Sequence, residues 1–231
     1  MVQVNNTPIT VRAKFYKTGK LQYISHLDLV RTMMKIIVRA KLPLWYTEGF
    51  NPKPKLTFAA PLSIGTESLC EFMDIRLTDR VPESEIMESL NENLTPDMQV
   101  TEVYYPEDKM TSLKYLAYKI TLNIGCGSCD GAEQIKNLLS SENITVLKKT
   151  KSGDAQVNIK PLIKSAEVFE EGGNLVIDCV LSADSANFLN PEYIIKAIRE
   201  KLGILTSENL LSESYSILRY EAYLENMEAF R

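Results

Sequence analysis

The sequence contains a single histidine, His26, set in Tyr23-Ile24-Ser25-His26-Leu27-Asp28 with Arg31 close behind. An imidazole beside a carboxylate, a guanidinium and a phenol can take or give a proton at neutral pH, so His26 is the candidate general acid or base. The same residues have a structural use. A histidine in the first helical position, next to a capping serine, can bond to the loop at 47–55 and fix its shape. Glu48 in that loop is equally two-sided: a reactive carboxylate, or an ion-pair partner for Arg31 or Arg39 that contributes about 0–1 kcal/mol at a surface. No Ser/His/Asp set, P-loop or GxGxxG accompanies these residues.

A second kind of chemistry is recognition. Trp45, Tyr46, Glu48, Phe50, Asn51, Lys53 and Lys55 lie in a short stretch interrupted by Gly49, Pro52 and Pro54. Two prolines and a glycine make that stretch a stiff surface loop without regular structure. Cations and exposed rings together hold phosphates and stack unpaired bases, and Arg12, Lys14, Arg31, Lys35 and Arg39 add to them. The alternative is that Trp45 and Phe50 are core residues and the lysines solvate a surface. Charge distribution favours a partner. Residues 1–60 carry ten Lys or Arg against two acids, a net of +8, while the remaining 171 residues sum to −12. Such polarity suits phosphate or an acidic protein surface, and the steep salt dependence of phosphate binding separates the two.

The elements that must position these residues follow from periodicity. Residues 10–17 alternate as a strand with Val11, Ala13 and Phe15 on one face. Ser25 and Asp28 start a helix that runs to about Lys41, before Pro43, and exposes Asp28, Arg31, Thr32, Lys35 and Arg39 as one narrow stripe. A short strand at 42–46, strands at 55–60 and 69–77, a helix at 82–94 and a strand at 100–105 complete a split βαβ plan. After a linker at 108–112 the plan repeats: strand 115–124, helix 130–140, strands 144–150 and 175–182, helix 191–202 and a strand near 216–223. Residues 157–169 read as an extra extended segment. The expected fold is therefore α+β, two tandem ferredoxin-like domains spanning 1–108 and 113–231.

The ordered residues Tyr23 to Asp28 with Arg31, Arg39-Ala40, Leu42-Pro43, Glu48-Gly49-Phe50-Asn51-Pro52 with Pro54, and Pro61-Leu62 followed by Gly65 and Ser68 resemble a bacterial family of radical SAM-associated proteins. The match is dense over residues 9–78, and Val157 to Ile163 resembles a weaker second segment of the family. The resemblance implies a domain of unknown function, fused to or encoded beside a cobalamin-binding radical SAM enzyme. It implies no catalytic residue. The CxxxCxxC triad that holds a radical SAM cluster is missing, so that chemistry would belong to a separate chain.

Other classes are disfavoured. No apolar run approaches the ~20 residues of a membrane span, and residues 1–15 lack a signal-peptide core, which points to the cytoplasm. Cys70, Cys126, Cys129 and Cys179 then read as reduced thiols. Cys126-Gly-Ser-Cys129 has chelating spacing but no second ligand pair, so neither a metal nor another cofactor is expected. The resulting expectation is an RNA-binding or RNA-presenting accessory of a radical SAM enzyme. Protein docking without RNA, or RNA modification through His26, remain the alternatives.

Overall fold

The computed structural model describes residues 7–124, 130–150, 153–184, 186–207 and 213–231, with an α+β architecture. The chain divides into one unit that ends at Ser112 and also takes in Arg231, and a second from Leu113 to Phe230. Among the described residues there are four α-helices, none long and apolar enough to cross a membrane.

The first unit contains β1 (Ile9–Lys17), α1 (His26–Arg39), β2 (Leu56–Phe58), β3 (Thr66–Leu77), α2 (Glu83–Asn91) and β4 (Val100–Tyr104). Its strands lie in the order β4-β1-β3-β2, every neighbour antiparallel. Alternation along β1 sends Val11, Ala13 and Phe15 into a core with Met73, Ile75 and Leu77 of β3. Leu29, Met33, Ile36 and Ile37 of α1 and Ile86 and Leu90 of α2 close that core from one side. Each such side chain contributes roughly 1.5–3 kcal/mol by leaving water.

The start of α1 is fixed locally. The Asp28 backbone N–H donates to Ser25 Oγ at 3.1 Å, and the Ser25 hydroxyl donates to Asp28 Oδ2 at 2.7 Å. This is a capping box whose return bond runs side chain to side chain. The helix ends at Arg39, and Lys41 at φ +55° turns the chain toward Pro43. The expected strand at 42–46 is reduced to isolated bridges at Leu44 and Tyr46, and the strand at 55–60 to three residues.

The second unit corrects the expected strand assignment. Its elements are β5 (Tyr115–Asn123), α3 (Gly131–Ser140), β6 (Thr145–Thr150), β7 (Gly153–Asn158), β8 (Ile163–Glu171), β9 (Asn174–Ser182), α4 (Glu192–Leu202) and β10 (Ser214–Tyr223). The sheet runs β10-β5-β9-β8, again all antiparallel. The strand at 144–150 is outside that sheet, paired instead with β7 in a two-stranded ribbon. The extended segment expected at 157–169 is divided between the end of β7 and β8, and β8 joins the sheet beside β9. An edge strand buries little: of β8, Ile163 is buried while most other positions are exposed, so its hydrophobic alternation is faint. A stronger signal was Gly172-Gly173, both at positive φ, which closes the two-residue hairpin between β8 and β9.

Burial raises the phenol of Tyr104, on β4 opposite Arg12, to about 12, with the Arg12 charge opposing the shift. The folded state thus favours the neutral ring. Its contribution is complete below pH 10 and is lost as pH rises from about 10 through 12. Denaturant midpoints measured across that window should fall for the parent, and Tyr104→Phe should flatten the fall.

Candidate functional site

The exposed stripe of α1 borders a groove. Leu21, Ile24 and Ile36, with Leu94 and Met98 from the connection between α2 and β4, line a hollow of about 220 Å³. Thr32, Lys35, Arg39, Asn93 and Thr95 complete the lining, which holds two cations and no carboxylate. Among the described residues no ion pair is recorded for Lys35 or Arg39. Arg31 is one helical step away, exposed, and 3.5 Å from Asp28 in an i,i+3 pair. A surface pair of that length contributes little and leaves the guanidinium available.

The stretch at 44–55 is more ordered than its prolines suggested. Trp45 N–H donates to the Arg76 carbonyl at 2.8 Å, and Lys55 N–H donates to the Trp45 carbonyl at 3.0 Å. Thr47 N–H donates to the Lys53 carbonyl at 2.8 Å, and the Lys53 N–H returns to Thr47 Oγ1 at 3.0 Å. The loop is therefore a narrow hairpin anchored on β3, with the prolines at positions that need no donor. Its tip presents Glu48, Phe50, Asn51 and Lys53 to solvent, and Phe50 is 111% exposed. Trp45 is half-buried at the base and Tyr46 is exposed. Gly49 sits at φ +124°, where a side chain is strained by about 1–3 kcal/mol. Gly49→Ala should loosen the tip, seen as faster proteolysis there with the global unfolding midpoint little changed.

Two of the expected contacts are withdrawn from this surface. Arg12 is 0% exposed. Its Nε donates to Asp74 Oδ1 at 2.7 Å and its Nη2 to Asp74 Oδ2 at 3.0 Å, with a further bond to the Asp108 carbonyl at 3.1 Å. Lys14 is half-buried, 3.4 Å from Glu102 and 6.0 Å above the Phe72 ring. Both project from the face of β1 opposite the core-facing Val11, Ala13 and Phe15, hence away from α1. Lys17 is buried too, donating to the Leu21 carbonyl at 3.1 Å. Of the ten early cations, seven stay exposed: Lys20, Arg31, Lys35, Arg39, Lys41, Lys53 and Lys55. The single patch expected over 1–60 thus contracts to α1 and the hairpin.

His26 does not bond to the 47–55 loop. Its ring meets Phe58 edge-on, centroids 5.6 Å apart at 86°, and Phe58 in turn meets Phe15 at 6.4 Å and 82°. The neighbouring Asp28 carboxylate is occupied by Ser25 and Arg31. That arrangement holds the helix start against β2, and it builds no acid–base pair from His26 and Asp28.

Other hollows carry carboxylates mixed with cations in their lining. A larger hollow of about 580 Å³ along β4 is lined by Glu102, Glu107 and Asp108 with Arg231, so its carboxylates outnumber its cationic side chains. Among the described residues no group of three His, Cys, Asp or Glu could hold a metal ion. Cys126 and Cys129 lie outside the described residues. Cys70 and Cys179 are buried thiols, and burial pushes the Cys179 thiol up, which makes it inert.

The groove floor was missed by sequence reading. Leu94 falls at the end of the helix expected over 82–94, which in the structure ends at Asn91, and nothing in the local pattern brings the 93–98 segment beside α1.

Residues 10–191 match the model of a family described as an uncharacterized protein conserved in bacteria, DUF2344. No curated protein matches the sequence. Among solved structures, a chain of the crystal structure of a Cbf5-Nop10-Gar1 complex is similar over 92% of this chain at 10% identity, with a TM-score of 0.50. The match covers 48% of that protein, so this chain spans about half its length. At that identity the likeness concerns the fold alone. An unknown protein from Galdieria sulphuraria aligns over 92% of this chain and 99% of its own at 8% identity, with a TM-score of 0.26.

Proposed function

We propose, since the chain belongs to the DUF2344 family of bacterial proteins, that it is a non-catalytic RNA-binding accessory of a radical SAM enzyme. The RNA would be a transfer or ribosomal RNA, held in the cytoplasm for a separate chain that performs the radical chemistry. The observation that carries the RNA part is the α1 groove: two cations without a carboxylate beside an apolar floor. The hairpin supports it with Phe50, Asn51, Lys53 and Lys55 on a hydrogen-bonded stem, since a rigid loop loses little freedom on binding. The radical SAM partner rests on the resemblance of residues 9–78. Each unit is, in this reading, a ferredoxin-like sandwich. The order β4-β1-β3-β2 and its counterpart β10-β5-β9-β8 support that assignment, with β6 and β7 as an insertion in the second unit.

The test is a binding titration of short RNA at several salt concentrations, with a pull-down assayed for a radical SAM enzyme among the captured proteins. Phosphate binding gives a linear fall of log K with log salt, about 0.7 per contact for a single strand. A flat dependence would sink the RNA reading. Phe50→Ala should leave stability within about 0.5 kcal/mol, because the ring touches solvent, and should weaken RNA binding by the ~1–3 kcal/mol of one stacked base.

A second reading, protein docking without RNA, is favoured by one feature. Tyr23, Leu27 and Ile64 are large, apolar and exposed, and the Gly65 N–H bond to the Gln22 carbonyl at 2.9 Å holds the Ile64 turn beside the segment bearing Tyr23. A complex through that surface would survive salt that releases RNA.

A further inference from the structure

We infer that the groove beside α1 is a pocket for one unpaired nucleotide of single-stranded RNA, its base lying on the apolar floor and its flanking phosphates on Lys35 and Arg39. This rests on the RNA-binding reading and narrows it to a substrate class. Three observations carry it. First, the size is small. About 220 Å³ is below the ~300–1,000 Å³ of a drug-sized ligand site, so it admits one ring system and excludes a duplex edge.

Second, the lining is divided. Leu21, Ile24, Ile36, Leu94 and Met98 are apolar, as a base face requires, and a polarisable thioether such as that of Met98 packs well on aromatic rings. Lys35 and Arg39 are one helical turn apart, so their cations lie on the same side of the helix, as successive phosphates require. With no carboxylate in the lining, charge complementarity selects an anion.

Third, the polar groups beside the floor suit a base edge. Asn93 donates its amide Nδ2 to the Ser89 carbonyl at 3.0 Å, which fixes the side chain and leaves Oδ1 as an acceptor. Thr32 and Thr95 bring hydroxyls that donate or accept. A fixed amide and two hydroxyls are what distinguishes a base pocket from a greasy groove for an acidic peptide. An unpaired residue of a loop or end, splayed from its stack, is the RNA feature that proteins read in this way.

The experiment fills the pocket without changing its charge. Thr32→Phe places a ring in the groove from an exposed helical position, and Ser84→Phe on exposed α2 is the control. Binding of a labelled oligouridine, of the same strand in duplex form and of polyglutamate is followed by anisotropy across salt, with circular dichroism to check folding. The expected result is a loss of at least about tenfold for Thr32→Phe on the single strand, with an unchanged salt slope. Ser84→Phe should match the parent, and duplex and polyglutamate should bind more weakly. If Thr32→Phe binds as the parent does while the doubly substituted Lys35→Glu/Arg39→Glu protein loses affinity, the nucleotide pocket is overturned and the wider RNA reading stands. Parent-like binding by both variants removes the RNA role of this face altogether. Equal affinity for duplex, or for polyglutamate, also overturns the pocket.

Discussion

Arg12→Ala is expected to destabilise the first unit by about 3–5 kcal/mol, because it strands the Asp74 carboxylate in the folded state without its bidentate partner. The magnitude follows from burial. Arg12 is fully buried and the Asp74 side chain is 12% exposed, so little water can replace the guanidinium. The substitution also removes the donor to the Asp108 carbonyl, leaving that acceptor short of a partner. A loss of that size is a large share of the ~5–15 kcal/mol that holds a typical domain folded. It should appear as a lowered denaturant midpoint with an unchanged slope. Replacing both members, Arg12→Met with Asp74→Leu, should recover most of the loss, because the desolvation of two charges goes with them. If Arg12→Ala instead kept its midpoint and lost RNA affinity, Arg12 would have to be returned to the recognition surface.

The contrast between Arg12 and Lys35 shows where the sequence was readable. Both were assigned to one basic surface by composition, and composition has no direction. Alternation along β1 already placed Arg12 and Lys14 on the same face as each other and opposite Val11, Ala13 and Phe15. What it could not supply was the register that sets Asp74 of β3 opposite Arg12 and Glu102 of β4 opposite Lys14. Those partners are 62 and 88 residues away, and no local pattern points to them. The stripe on α1, by contrast, depends on helical spacing alone, and Arg31, Lys35 and Arg39 are exposed as that spacing requires.

The same distinction explains the other outcomes. The capping of α1 by Ser25 was legible because its bonds span three residues. The hairpin at 44–55 was hidden because it is anchored through Trp45 on the distant Arg76 carbonyl, and the prolines beside its local Thr47–Lys53 pairing normally argue against a strand. In the second unit the expected sheet strand at 144–150 gives way to β8, which carries the more apolar residues, Ile163, Ala166, Val168 and Phe169 against Val146 and Leu147 of β6. Pairing was decided by which segment leads into the Gly172-Gly173 turn beside β9.

Charge reversal on α1 is the second large effect. Lys35→Glu together with Arg39→Glu should weaken RNA binding by roughly 100-fold at low salt and lower the salt slope by ~1.4, two contacts at ~0.7 each. The size follows from Coulomb arithmetic. A contact at 4 Å in water is worth about 1 kcal/mol, and reversing a charge removes that attraction and adds a like repulsion. Two residues therefore shift the balance by about 4 kcal/mol before screening, and a Debye length near ~10 Å at moderate salt leaves part of it. The fold should tolerate the change, since both side chains are exposed and neither has a recorded ion pair among the described residues. Glu at position 39 also opposes the dipole at the end of α1, by about 0.3–1 kcal/mol, and Arg39→Gln removes that complication. Lys14→Ala is the matched control: it deletes a cation of the same early segment from the other face of β1, where Glu102 already offsets it. Loss of binding in Lys14→Ala equal to that of the α1 variant would mean that net charge, rather than a located surface, attracts the RNA.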